Sequence, residues 1–360
     1  MTAIEITGHR QKDAWVNKVF PPVEEVRPGL WSIPVPIPLS PLRYVLVYAL
    51  ALSDGGLALI DVGWNTDESW QALVDGIHAT GHDITDVAHV SITHLHPDHF
   101  GLVPRLLEQT DVQLAMHRND ARHMRFHDEN EIAKELGAAQ DDLRMLGAPT
   151  DVADTGILGF VRLPEGREID VELENGDPLN LPGWNVRALW TPGHTAGHLC
   201  FVDEDAGLIF SGDHLLPRIS PNVSTNPFQT HSPLADYLIS LANTEQLPDL
   251  EALPSHEYRF RGLANRVTAL LGHHEERLAE ITAAVAAEPQ STAWDVTRSV
   301  TWSRPFEQLS VDLSRMALRE TNAHLVVLAE RGVLTPTDGI PIRWSVSIST
   351  ANQPEKESAR

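Results

Sequence analysis

Six consecutive positions, His94-Leu95-His96-Pro97-Asp98-His99, hold three histidines and an aspartate. They follow the stretch Val87 to Ile92, which reads as a strand. Neutral imidazole nitrogen and carboxylate oxygen are donors that suit zinc, and also iron or manganese when geometry allows. At an extended strand end side chains alternate in direction, so His94 and His96 face the same way and could hold one ion together. Pro97 fixes φ and stops the strand, turning Asp98 and His99 toward a second ion nearby. The cluster therefore predicts two adjacent metals.

Three downstream segments carry donors of the same types at element ends. Trp190-Thr191-Pro192-Gly193-His194 reads as a strand end and a tight turn with a histidine on it. Leu208 to Gly212 reads as a buried strand ending at Asp213, and Ala252-Leu253-Pro254-Ser255 as a strand-to-loop step ending at His256. Loops at strand ends, positioned by a rigid sheet, are where metal and catalytic residues concentrate.

Taken in this order, and with Ala58-Leu59-Ile60-Asp61-Val62-Gly63 before them, the motifs closely resemble those of the metallo-β-lactamase superfamily of αββα metallohydrolases. The resemblance covers roughly residues 28 to 260. It implies that His94, His96 and His194 bind one metal, that Asp98, His99 and His256 bind the other, and that Asp213 bridges them. It also implies that Asp61 braces the metal histidines from behind. The family's best-known antibiotic-hydrolysing branch has a cysteine at the position of Asp213; the sole cysteine here, Cys200, stands elsewhere. Flavodiiron oxygen reductases have glutamate at the position of His96 and carry a flavodoxin domain, so electron transfer is disfavoured too. Branches that share the full ligand set include glyoxalase II-like thioesterases, lactonases and the β-lactamase-like protein 2 group, which the stretch Phe210 to Asn222 resembles most.

The elements that must position these residues form a large α/β domain and a smaller helical one. At 360 residues and 42% hydrophobic content the chain has material for both. Residues 28 to 62 read as short strands, Glu68 to Thr80 as an amphipathic helix and Leu102 to Gln109 as another helix. The interval from His99 to His194 is wide for the family and mostly helical from Met116 to Gly147, which suggests an inserted cap over about 116–160 within a catalytic domain of residues 1–262. Beyond it, Leu263 to Ala287, Ala293 to Val300, Phe306 to Arg319 and Ala323 to Arg331 read as helices, and Ile340 to Ser347 as a hairpin-like end. That order, over 263–350 and before a flexible tail at 351–360, is winged-helix-like. No lysine stands in Leu309 to Glu330, and its arginines are matched by acids, so packing or homodimer formation is favoured over DNA reading.

Charge narrows the partners. With 27 basic and 50 acidic residues the formal charge is −23, a field that repels nucleic acid. The longest apolar run, Tyr44 to Leu52, is too short for a bilayer span, no export signal is evident, and one cysteine fits a reducing cytoplasm. A small-molecule substrate is therefore expected. His214, Arg218, Arg259 and Arg261 are candidates to grip its anionic groups, and Tyr258 to donate to an oxyanion. His123 and His127, four apart on an expected helix, could line the pocket from the cap. The expectation is a dinuclear hydrolase, zinc favoured, whose shared hydroxide attacks a small thioester, ester or lactone. Asp98 would also guide the proton. Cleavage of single-stranded RNA is the alternative, and a winged-helix binding protein on a metal scaffold the remaining one.

Overall fold

The computed structural model describes residues 4–38, 40–125, 128–154, 161–227 and 231–347. Contacts divide the chain into two compact units, one of residues 1–135, 157–223 and 229–273, the other of residues 136–156, 224–228 and 274–360.

The first unit begins with strand β1 (Glu5–Ile6) and helix α1 (His9–Asn17). A seven-stranded sheet follows, made in order of β2 (Glu24–Arg27), β3 (Leu30–Pro36), β4 (Tyr44–Ala51), β5 (Leu57–Ile60), β6 (Val87–Ser91), β7 (Gln113–His117) and β8 (Val171–Leu173). The second sheet adds β9 (Arg187–Trp190), β10 (Leu199–Asp203), β11 (Leu208–Gly212), β12 (Glu251–Pro254) and β13 (Phe260–Arg261) in the order β1-β13-β12-β11-β10-β9. In each sheet the ligand-bearing strands run parallel, β5 beside β6 and β11 beside β12, so their C-terminal ends emerge on one side.

The two sheets pack face to face, because β4 is apolar on both surfaces. Tyr44, Leu46, Tyr48 and Leu50 turn toward Leu199, Phe201, Phe210 and Leu253 of the other sheet, and Tyr48 meets Phe210 with ring centroids 5.4 Å apart. Val45, Val47 and Ala49 turn the opposite way, into a core closed by α2 (Asp67–Ala79), α3 (Pro97–Phe100), α4 (Val103–Leu107) and α5 (Arg118–Met124). On the second sheet's side, the helix Pro233–Thr244 is bonded to the loops after the strands, Tyr237 Oη donating to His214 O and Ser240 Oγ to Pro192 O, and the mixed α/β architecture matches the expected fold class. Thr66 caps α2 by accepting from Ser69 N, and Asp67 and Glu68 sit in its first turn, where the helix dipole favours acids. The expected helices at 68–80 and 102–109 appear with ends shifted by one or two residues.

The interval expected as a cap divides differently. Met116 and His117 belong to strand β7, and α5 packs on it. Helix α6 (Glu129–Met145) begins in the first unit, but its residues from Leu136 on group with the second, as does α7 (Thr150–Ala153). There Trp294 N donates to Leu146 O, Arg315 Nε to Val152 O and Arg319 pairs with Asp142. His127, residues 155–160 and the tail 351–360 lie outside the described residues.

After α8 (Pro233–Thr244) and the long α9 (Leu263–Ala287), the second unit contains α10 (Ala293–Ser299), α11 (Val311–Glu330) and a three-stranded sheet. Its strands β14 (Ser291–Thr292), β15 (Leu334–Pro336) and β16 (Arg343–Val346) are ordered β14-β16-β15. Two departures from expectation stand out. Residues 311–330 form one helix instead of two, because Thr321 and Asn322 in the expected break are buried within it, and the hairpin gains a third strand from Ser291–Thr292. Among the described residues no helix is long and apolar enough to cross a membrane.

Gly76 lets α2 lie close on β3, since a Cβ there would land on Ile33 Cγ2. Gly76→Val should lower the unfolding free energy by about 1–3 kcal/mol through overpacking. Chemical denaturation would measure it, and an unchanged midpoint would contradict this packing.

Candidate metal centre

Seven side chains from both sheets converge at the strand ends. The loop after β6 supplies His94 and His96, and Pro97 then starts α3, whose first turn carries Asp98 and whose end carries His99. Pro at this first helical position lacks only an N–H that would be unpaired anyway, so the chain turns sharply at no hydrogen-bond cost. His194 sits on the turn after β9, Asp213 directly after β11 and His256 two residues after β12.

Donor atoms gather in three overlapping groups, His94-His96-His194, His94-His99-Asp213 and Asp98-His99-His256, each within 4.8 Å. His94 Nε2 lies 3.0 Å from His96 Nδ1 and 3.2 Å from His194 Nε2. Asp213 stands between the groups, with Oδ1 3.3 Å from His256 Nε2 and 3.7 Å from His99 Nε2, and Oδ2 3.5 Å from His194 Nε2. Asp98 reaches His256 Nε2 at 3.4 Å and His99 Nε2 at 3.6 Å.

The far nitrogen of most rings is already engaged. His194 Nδ1 donates to Asn222 O at 2.7 Å, His256 Nδ1 to Tyr44 O at 3.0 Å and His99 Nδ1 to Asp61 Oδ2 at 2.7 Å. Thr93 gives its hydroxyl proton to Asp61, so at 3.0 Å it can only accept from His94 Nδ1. In neutral rings these bonds place the proton on Nδ1 and aim the Nε2 lone pair inward. His99 Nε2, His256 Nε2 and Asp213 Oδ1 are buried with no hydrogen-bond partner. Buried orphans of this kind are costly unless something else satisfies them.

Electrostatics agrees with a cation-binding role. Burial, reinforced by the neighbouring rings, holds His94 and His96 well below the ordinary histidine range, which keeps them neutral donors. Burial also lowers His194. It would lower His99 too, but the carboxylates of Asp98, Asp61 and Asp213 outweigh it and raise that imidazole to about 10. Three carboxylates that draw a proton onto a fully buried ring mark a place where positive charge is strongly favoured. The donor set of imidazole and carboxylate suits a divalent metal.

The sequence model of the Metallo-beta-lactamase superfamily matches residues 41–256, more than half of the chain. The chain belongs to this superfamily. A metallo-beta-lactamase family protein from Thermus thermophilus superposes with a TM-score of 0.75 at 29% identity, covering 89% of this chain and 100% of that one. A beta-lactamase domain protein from Burkholderia ambifaria gives 0.73 at 30% identity, covering 90% and 93%. A probable metallo-hydrolase of Bacillus subtilis is 26% identical over 84% of this chain and 93% of its own length. An atrochrysone carboxyl ACP thioesterase of Aspergillus fumigatus is 26% identical over 64% of this chain, and the match spans only 43% of the fungal protein. Members of the superfamily use metal ions, and the groups described above are able to hold them.

Several residues expected near substrate have other surroundings. Arg259 is buried between Glu251 at 2.8 Å and Glu24 at 3.1 Å, where it joins strand ends on the far side of β12. Arg261 donates to the Asp249 carbonyl at 3.0 Å. His214 is buried, bonds Thr244 Oγ1 at 2.9 Å and is lowered to about 3 by burial. Tyr258 is 4% exposed, and the charged groups that act on it are Glu257, Arg218 and Arg266. Arg218 remains exposed and pairs with Glu257 at 3.3 Å. His123 bonds Arg122 Nε at 3.3 Å on α5.

Two buried groups escaped the sequence reading. Asp120 accepts from Leu95 N at 3.0 Å, Thr195 Oγ1 at 2.7 Å and Gly197 N at 2.7 Å, clasping the His94-His96 loop to the His194 turn. A Cβ at Gly197 would stand 2.6 Å from this carboxylate, which accounts for the glycine. His198 donates from Nδ1 to Thr191 Oγ1 at 2.8 Å and accepts Asp213 N at 3.1 Å, so it fixes the backbone of the central aspartate. The available signal was a Gly-His step repeated at 193–194 and 197–198, of which only the first histidine was read as a ligand. Asp120→Ala should leave the fold intact but weaken metal retention roughly 10–100-fold, since both loops lose their tether. Chelator competition with circular dichroism as the fold control measures this; native retention would reduce Asp120 to a packing residue.

Proposed function

We propose that the protein is a dinuclear metal-dependent hydrolase of a small thioester, ester or lactone. The observation that carries this reading is the pair of donor groups, His94-His96-His194 and Asp98-His99-His256, with the Asp213 carboxylate between them. Their composition suits zinc, with iron or manganese also accommodated.

Bound divalent ions supply Lewis acidity and a water acidic enough to be a nucleophile near neutral pH. The chain's own residues do the rest. Asp213 sets the spacing of the two histidine groups. His198 and Gly212 hold it there, because a side chain at Gly212 would come 2.7 Å from His198 Nε2. Asp61, Asn222 O and Tyr44 O lock the rings so that they need no reorientation when a ligand binds. Asp98 is 14% exposed at its side chain, the most open of the carboxylates here, and is placed to accept and pass a proton.

A carbonyl substrate is favoured on two grounds. One relative of similar sequence is named a thioesterase, and the chain's charge of −23 disfavours a long polyanion such as RNA.

Protein purified without added metal should contain about two ions per chain by mass spectrometry. It should cleave one class among acyl thioesters, esters and lactones, lose that activity on chelation and regain it with zinc, iron or manganese. Asp213→Ala should abolish turnover and lower metal content together. Inert protein after all three metals would overturn the hydrolase reading, and cleavage restricted to single-stranded RNA would overturn the substrate class.

A further inference from the structure

A cleft lies in the first unit, lined by Trp15, Val16, Lys18, Pro41, Arg43 and Arg218, with a volume of about 520 Å³. Three of its six lining residues are cations and none is a carboxylate, in a chain with 27 basic residues against 50 acidic ones. Two of the cations stand at left-handed backbone positions. Lys18 closes α1 in the left-handed conformation at φ 57°, its N–H returning to Ala14 O and Trp15 O. Arg43 has φ 66° and donates to Trp15 O at 2.8 Å and Val19 O at 3.4 Å, with its guanidinium 4.4 Å from the Trp15 ring centroid. Those acceptors are neutral, so the charge of Arg43 is not cancelled. Arg218 lies 5.9 Å from the same ring and is paired only with Glu257 among the described residues. Val16, Val19 and Phe20 of the adjoining turn are exposed.

Two residues that touch the cleft's lining are also tied to a residue of the metal centre. Glu257, the partner of Arg218, follows His256 directly, and Tyr44, whose carbonyl accepts from His256, has its ring 6.0 Å from Trp15. Like charges clustered beside an exposed apolar turn, with a net excess of positive charge, match phosphate oxygens together with an apolar linker.

We propose that this cleft binds a phosphate-bearing group on the leaving-thiol side of the substrate, a nucleoside bisphosphate tail joined to the reacting thioester. The assignment rests on the hydrolase reading above for its place in turnover, but binding at the cleft can be tested without turnover. Arginine and lysine grip the phosphates, and the exposed apolar turn accepts the linker.

Calorimetry of the metal-loaded protein with adenosine 3′,5′-bisphosphate, coenzyme A and pantetheine separates the cases. The first two should bind and pantetheine should not, with affinity falling as salt rises. Lys18→Glu, on an exposed side chain, should weaken bisphosphate binding at least tenfold at unchanged metal content, and Arg218→Gln should weaken it as well. In turnover, Lys18→Glu should raise KM for a coenzyme A thioester while leaving a short phosphate-free thioester unaffected. No bisphosphate binding, or binding equal in wild type and both variants, would overturn the proposal, the latter because the phosphates would then sit elsewhere. Binding that follows the variants without thioester cleavage would uphold the cleft and overturn only the assigned reaction.

Discussion

The buried carboxylate of Asp61 is the tie on which the centre depends. It stands just past β5 with φ 60°, a conformation a non-glycine residue adopts only when its surroundings enforce it. What enforces it is a set of bonds from Thr93 N at 2.8 Å, the Thr93 hydroxyl, His99 Nδ1 at 2.7 Å and Ser255 Oγ at 3.3 Å. One carboxylate thus joins the strand end before His94, the ring of His99 and the residue before His256. The first two lie on one sheet and the third on the other, so the same group that orients a histidine also holds the sheets in register at their functional edge.

Outward from that tie, polarity is managed by pairing each imidazole with a fixed neutral or anionic acceptor. A buried ring left to choose its own tautomer would face its neighbours with either two protons or two lone pairs in opposition. Backbone carbonyls of Asn222 and Tyr44 remove the choice for His194 and His256. Asp120 performs a different task with the same chemistry. Its three bonds are to the loops rather than to the rings, so it governs where the histidines are, while Asp61 governs how one of them is turned. Burial raises Asp120 to about 6, the usual consequence for a carboxyl removed from water, although its hydrogen bonds oppose the shift.

Much of this was legible in the chain. The density of donors between His94 and His99, the apolar strands leading into His194, Asp213 and His256, and the Asp61 motif were all local patterns, and local patterns survive folding when a rigid sheet carries them. The residues that were misplaced depend on contacts between distant segments. Arg259 reads as a free cation beside His256 until Glu24, more than two hundred positions earlier, is brought against it. Asp120 reads as one acid among fifty until its loop partners arrive. The helical interval after β7 was recognised as helical, but its grouping with residues beyond His274 is set by long-range bonds such as Arg315 to Val152, which no periodicity announces.

The division of donors between sheets has a consequence for how the molecule matures. His94, His96, Asp98 and His99 come from one layer, and His194, Asp213 and His256 from the other. Cations held by these donor groups would cross-link layers whose anchor points are up to 162 positions apart, the span from His94 to His256. Neither layer alone offers a complete set, so tight capture must wait until the layers have docked. From then on, the concentration of free metal adds directly to the native state's advantage over the unfolded chain. With the proposed function, the supply of ions in the surroundings would set this protein's lifetime as well as its turnover.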